Sequence, residues 1–286
     1  MPMFTGTRIM GIDFSGAIDA GRKIWIADGD LHGDQLTIRR CRSAAQLRAS
    51  SVFREPATAA LLRTIRRAHG AVIGCDFPFG LARSLVRHTR WEDFAAHFAR
   101  DFPTPQDLRS FADVMATDVY ARGGRVSRAT DRQAQTPFAP HNLRIFRQTY
   151  YGIRDLLAPL AAQGTAVLPF TAYTPGETAL MEICPASLLK SAGLYLPYKG
   201  RGEAERAQRA AIIAYFSDPA RGLHLAPLSR TVRARVVGDR EGDAIDSVLA
   251  AYSAALALTA GEVWHTPTAD EAVEARVYGW RVPEPA

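Results

Sequence analysis

Lysine is nearly absent from this chain. Of its 35 basic residues only Lys23, Lys190 and Lys199 are lysine. Cysteine is as sparse: Cys41, Cys75 and Cys184 stand far apart, with no CxxC and no Cys/His cluster. That spacing excludes a disulfide framework and a zinc site and fits a reducing cytoplasm. Long apolar runs are missing too, and no stretch approaches the ~18 residues of a membrane span. The nearest, alanine-rich 244–260, carries Asp246, Ser247, Tyr252, Ser253 and Thr259 and reads as a buried helix, so no membrane partner is expected. The opening MPMFTGTRIMGID lacks a basic segment followed by an apolar core, and no signal peptide is expected. Internal repeats and low-complexity tracts are also absent.

What remains is an ordinary globular composition, 47% hydrophobic with a net charge of +6 over 286 residues, too apolar for disorder. The arginine excess has two readings, both open at this level: phosphate recognition by the guanidinium fork, or the codon usage of a GC-rich genome. A modest positive charge admits a nucleic-acid partner without requiring one.

The apolar patterning predicts one α/β domain over residues 1–286. RIMGID (8–13), KIWIAD (23–28) and DQLTIRRC (34–41) read as three strands joined by short turns, an antiparallel meander. Residues 56–69 have helical spacing, and AVIGCD (71–76) is a further strand, so a crossover to a parallel position is expected. From about 80 to 163 the pattern is mostly helical, broken by a loop near 122–142. Residues 165–170 and 179–184 read as strands, 203–216 and 241–260 as helices, with Gly261 placed to cap the last. The sheet is therefore mixed, flanked by helices, and carries a helical insertion.

The informative residues are carboxylates where burial should exclude them. Asp13 ends the first strand, Asp76 the fourth, and Glu182 interrupts the apolar stretch ALMEICPA. A buried unpaired charge is heavily penalised unless a partner or metal answers it. If the first and fourth strands are neighbours, Asp13 and Asp76 meet at the crevice where open α/β sheets bind ligands. The competing reading is local: a strand-ending Asp caps the next turn through its own backbone. Two such acids in similar settings, IDFSG and CDFPFG, favour a shared site. The late helix adds Asp243 and Asp246, the only charges between Gly242 and Gly261, on one face at i,i+3. The helix macrodipole accounts for Asp243 well and for Asp246, a turn further in, less well. Such a hard-oxygen set suits Mg²⁺ or Mn²⁺. Two ions would place Asp13 as the bridging ligand, with Asp76 and Asp243 each completing one. Asp246 or Glu182 would serve as an outer ligand or orient water for phosphodiester hydrolysis.

The order meander, helix, strand, insertion, strand, acidic helix resembles the ribonuclease H-like fold. In that superfamily acids on the first strand, the fourth strand and the last helix bind catalytic metals. DAIDSVLAAYSA (243–254) is similar to the corresponding helix of bacterial Holliday-junction resolvases. Along nearly its whole length the chain resembles the family called domain of unknown function 429, predicted ribonuclease H-like nucleases. The motifs are GIDFSGA (11–17), CDFPFG (75–80), RATDR (128–132), FRQTYYGI (146–153), MEICPAS (181–187) and GDAIDSVLAAY (242–252). The resemblance implies a metal-dependent nuclease acting on nucleic acid.

Residues 121–149 hold six arginines, Arg122, Arg125, Arg128, Arg132, Arg144 and Arg147, against the single acid Asp131. With Phe138, Phe146, Tyr150 and Tyr151 nearby, they suit a flexible phosphate-bearing strand whose bases stack. Arg128, Asp131 and Arg144 are the substrate-binding candidates, and Arg128 with Asp131 reads as an anchored pair reaching toward the acids. The alternative is a solvated insertion with Phe146 and Tyr150 as helix core. Two other functions stay open. One is phosphoryl transfer on an actin-like fold, for which GIDFSGAIDAGRK suits a phosphate hairpin but no second Gly-rich loop follows. The other is non-catalytic nucleic-acid binding.

Overall fold

The computed structural model describes residues 5–124 and 126–283. Met1–Phe4 of the opening segment and Arg125 of the arginine-rich loop lie outside the described residues. The first three apolar runs form β1 (Thr5–Asp13), β2 (Trp25–His32) and β3 (Gln35–Ser43), an antiparallel meander. A single helical turn, α1 (Ala20–Lys23), lies between β1 and β2. Helix α2 (Arg54–Arg66) then carries the chain to β4 (Val72–Asp76), which lies parallel to β1.

The insertion contains α3 (Trp91–Asp101), α4 (Pro105–Ala121), α5 (Ala129–Gln133) and α6 (Phe146–Gly152). A wider turn over Ile153–Leu157 joins α6 to α7 (Ala158–Ala161). Strands β5 (Ala166–Val167) and β6 (Ala179–Glu182) follow, then α8 (Pro185–Ser191), α9 (Glu203–Phe216), β7 (His224–Leu225) and α10 (Arg230–Gly238). The chain continues through α11 (Asp243–Thr259) and α12 (Glu271–Glu274). The seven strands lie in the order β5-β6-β4-β1-β2-β3-β7, a mixed sheet flanked by helices. Among the described residues no helix is long and apolar enough to cross a membrane.

Some elements differ from the sequence reading for local reasons. The strand expected over 165–170 shrinks to Ala166–Val167 at the sheet edge, because Pro169 has no N–H for the ladder. The strand expected to reach Cys184 stops at Glu182, since Pro185 opens α8. Gly261, left-handed at φ 77°, follows the last turn of α11.

Helix α11 positions the site. Every residue from Ala244 to Leu258 is buried, as its largely apolar composition favours. It can lie so close to β1 and β4 because both offer glycine there. A Cβ on Gly11 would stand 2.1 Å from the Ser247 carbonyl oxygen, and one on Gly74 2.5 Å from that of Ala250. Gly11→Ala is therefore expected to lift the helix and cost about 1–3 kcal/mol or more, as overpacking does. Urea unfolding measures this, and an unchanged midpoint would contradict so close a seating.

Candidate functional site

Strands β1 and β4 run parallel with Asp13 directly opposite Asp76. Side chains alternate along a strand, so both acids share the face on which Gly11 and Gly74 meet α11. The helix enters just above them. Gly242, left-handed at φ 82°, turns the chain into its first turn, which presents Asp243 and Asp246. The four carboxylates line one cavity of about 620 Å³ together with Phe14, Phe77, Tyr195 and Tyr198.

Asp246, only 2% exposed, is fully engaged. Its Oδ1 accepts from the Tyr198 hydroxyl at 2.8 Å and its Oδ2 pairs with Lys199 Nζ at 2.6 Å. The other three contrast with it. Among the described residues no hydrogen bond or ion pair reaches the carboxylates of Asp13, Asp76 or Asp243, although Asp13 is only 8% exposed. Gln148 fixes the Asp76 backbone instead, donating to its carbonyl.

Electrostatics follow from this crowding. Burial, then the charges of Asp243, Asp246 and Asp76, push the Asp13 carboxyl well above its usual range, with Lys199 opposing. Burial and Asp246 push Asp76 up to about 8. Burial raises Asp243 to about 7 against the pull of Lys199. Oxygen donors that resist ionising together are what a hard divalent cation answers. The donor set fits such an ion in kind, although among the described residues no three His, Cys, Asp or Glu side chains form a ready-made cage.

The sign of the linkage is testable. These carboxyls titrate higher folded than unfolded, so their contribution to stability is intact below about pH 4. It is lost as pH rises from there toward 8. In EDTA the melting temperature should fall across this window, with a shallower slope for Asp13→Asn. An identical slope in wild type and variant would refute the coupling.

Glu182 takes a different position. β6 aligns Glu182 with Cys75, not with Asp76, so it leaves the sheet on the opposite face. There it meets Arg128, which is 1% exposed. Arg128 Nη2 and Nη1 donate to Glu182 Oε1 and Oε2 at 2.5 and 2.8 Å. Its Nε and Nη2 reach Asp131 at 2.9 and 2.7 Å. The Phe79 N–H completes the Glu182 shell at 2.8 Å. Arg128 also donates to the Glu274 carbonyl, tying the insertion, β6 and the C-terminal segment together. Arg128, Asp131 and Glu182 line the same cavity as the four aspartates, from its other wall.

Of the remaining arginines, Arg144 is exposed and lies over the Phe138 ring at 5.3 Å; Phe138 lines the cavity and Arg144 does not. Arg122 pairs with Asp118, Arg132 donates to the Ser127 carbonyl, and Arg147 covers Phe146. Phe146 and Tyr150 are buried core, the Tyr150 hydroxyl donating to the Phe102 and Pro103 carbonyls.

Sequence reasoning passed over Tyr198, Lys199 and Gln148. One signal was available. In a chain that uses arginine almost everywhere, Lys23 and Lys199 line the cavity, and Lys190 bonds the Gln135 carbonyl in the loop leading to its Phe138 wall. A slender ammonium fits where a planar guanidinium does not. Compared with known proteins, the chain matches no family model, no curated protein and no solved structure.

Proposed function

We propose that the cavity is the active centre of a divalent-cation-dependent phosphodiester hydrolase acting on nucleic acid, built on a ribonuclease H-like sheet. The observation that carries this reading is the convergence of Asp13, Asp76 and Asp243 from two strand ends and a helix start, without a hydrogen-bonding or ion-pairing partner among the described residues. These three would hold Mg²⁺ or Mn²⁺. The bound ion supplies an activated water and charge stabilisation for the leaving oxygen.

The chain's own residues do the rest. Asp246, oriented by Tyr198 and Lys199, presents a fixed negative edge beside the ligands. Lys199 places an ammonium where a phosphate oxygen would enter. Phe14 and Phe77, 5.0 Å apart, form an apolar wall. Tyr195 and Phe138 offer ring faces on which bases stack, with Arg144 over Phe138 adding positive charge outside the cavity. A cavity of this size takes a nucleotide or two of an open strand, not a duplex.

The test is cleavage of labelled single-stranded DNA and RNA with Mn²⁺, with Mg²⁺ and with EDTA. Cleavage in either metal and none in EDTA is the expected result. Turnover undiminished in EDTA would remove the proposal.

A further inference from the structure

The described arginines of residues 121–149 divide into two groups. Arg122 and Arg128 pair with acids, and Arg132 donates to the Ser127 carbonyl. Arg144 and Arg147 are exposed, and among the described residues their guanidinium groups meet only rings, Phe138 at 5.3 Å and Phe146 at 4.7 Å. A guanidinium laid on a ring keeps its in-plane N–H donors free for phosphate oxygens. Their chain neighbours Ile145 and Gln148 line the cavity, which puts both arginines at its mouth. Gly16 brings a third cation to the same place. A Cβ on it would stand 2.4 Å from the Arg147 carbonyl oxygen, so glycine is what lets the turn after β1 seat against α6. Arg54 braces that turn, its Nη1 donating to the Gly16 carbonyl at 3.3 Å. The turn leads into α1, whose exposed Lys23 lines the cavity. Among the described residues the Lys23 ammonium has no hydrogen bond or ion pair, and Asp19, the acid of the turn, pairs with none of the three cations.

Six carboxylates and three cations line the cavity, so its interior does not by itself draw in a polyanion. The attraction comes from the rim. We propose that Lys23, Arg144 and Arg147 form a track for the phosphates of single-stranded nucleic acid outside the cavity, so that the substrate is an extended strand and not a free mononucleotide. This rests on the nucleic-acid reading above and adds the length of strand that the protein engages. Exposed cations answered by no acid keep their charge for a partner, and the phosphates of an open strand supply the complementary series. The strand leaves the cavity between the turn after β1 and the segment leading into α6, where these charges lie.

The test is fluorescence anisotropy of labelled oligothymidylates on the full chain in EDTA, with affinity followed against salt. One probe is a dinucleotide and the other is about twelve nucleotides long, enough to leave the cavity and cross the track. Arg144→Gln with Arg147→Gln should reduce the salt slope of the long probe by about 1.4, and by about 2 once Lys23→Gln is added. The dinucleotide should bind the double variant as it binds wild type, since neither arginine lines the cavity. Arg144→Lys with Arg147→Lys keeps the charge and should keep the slope. All three side chains are exposed, so the changes open no core, and circular dichroism confirms folding. An undiminished slope in the triple variant, or an equal loss in the lysine variant, would overturn the track. No binding of the long probe by wild type at low salt would also overturn it, because the track needs no metal. The hydrolase reading falls separately, on the cleavage assay.

Discussion

Asp13→Asn is expected to remove the proposed metal-dependent cleavage while leaving a protein that is, without metal, more stable than wild type above pH 7. Asp13 stands opposite Asp76, shares the cavity with Asp243 and Asp246, and has its carboxyl pushed well above the usual range by burial and these neighbouring acids. Removing its charge withdraws one of the three proposed ligands. The rate should fall by at least about 10²–10³-fold, the cost of losing one electrostatic stabiliser in an active site. Stability should move the other way, because the asparagine amide needs no ionisation and its N–H₂ can donate to a neighbouring carboxylate. Parallel measurement of turnover and urea midpoint at pH 8 separates the two effects. Persistent turnover would eliminate Asp13 as a ligand. Lost turnover with a lowered midpoint would point instead to a structural role.

Arg128→Met should have the largest effect on stability, about 3–5 kcal/mol, because it strands Asp131 and Glu182 as buried charges. Burial already holds the Glu182 carboxyl above its ordinary value despite the pull of Arg128. Without the guanidinium it rises further, so the deficit grows as pH increases and shrinks as pH falls and the buried carboxyl takes up its proton. Adding Glu182→Gln should restore part of the loss. Denaturant midpoints at pH 5 and pH 8 decide the matter. A deficit independent of pH would mean that Arg128 stabilises by packing alone.

The contrast between these two acids shows what the sequence could and could not disclose. Asp13 and Asp76 are legible because each ends an apolar run whose alternation fixes its face, and the helix over residues 56–69 makes the parallel crossover the natural connection. Asp243 and Asp246 are legible as the only charges in a buried helix. Glu182 looks identical in the sequence, an acid in an apolar strand. Its face depends on β6 pairing Cys75 with Glu182, a register set by packing among distant elements and not by local pattern. β7 has only two residues and α10 buries only Val232 and Val236, so neither gives a periodic signal. Lys199 lies in a loop with no pattern at all, and only the rarity of lysine marks it.

The seating of α11 over Gly11 and Gly74 also sets a timetable. The strand ends that carry Asp13 and Asp76 are made well before the helix that completes their cavity. At ribosomal speeds of about 5–20 residues per second, Asp246 follows Asp13 by on the order of ten to fifty seconds. Throughout that interval the glycine-lined groove of the nascent sheet has no cover and the acids have no common centre. A nascent chain therefore emerges beside ribosomal RNA with its four aspartates still apart, and they meet only once α11 has been made.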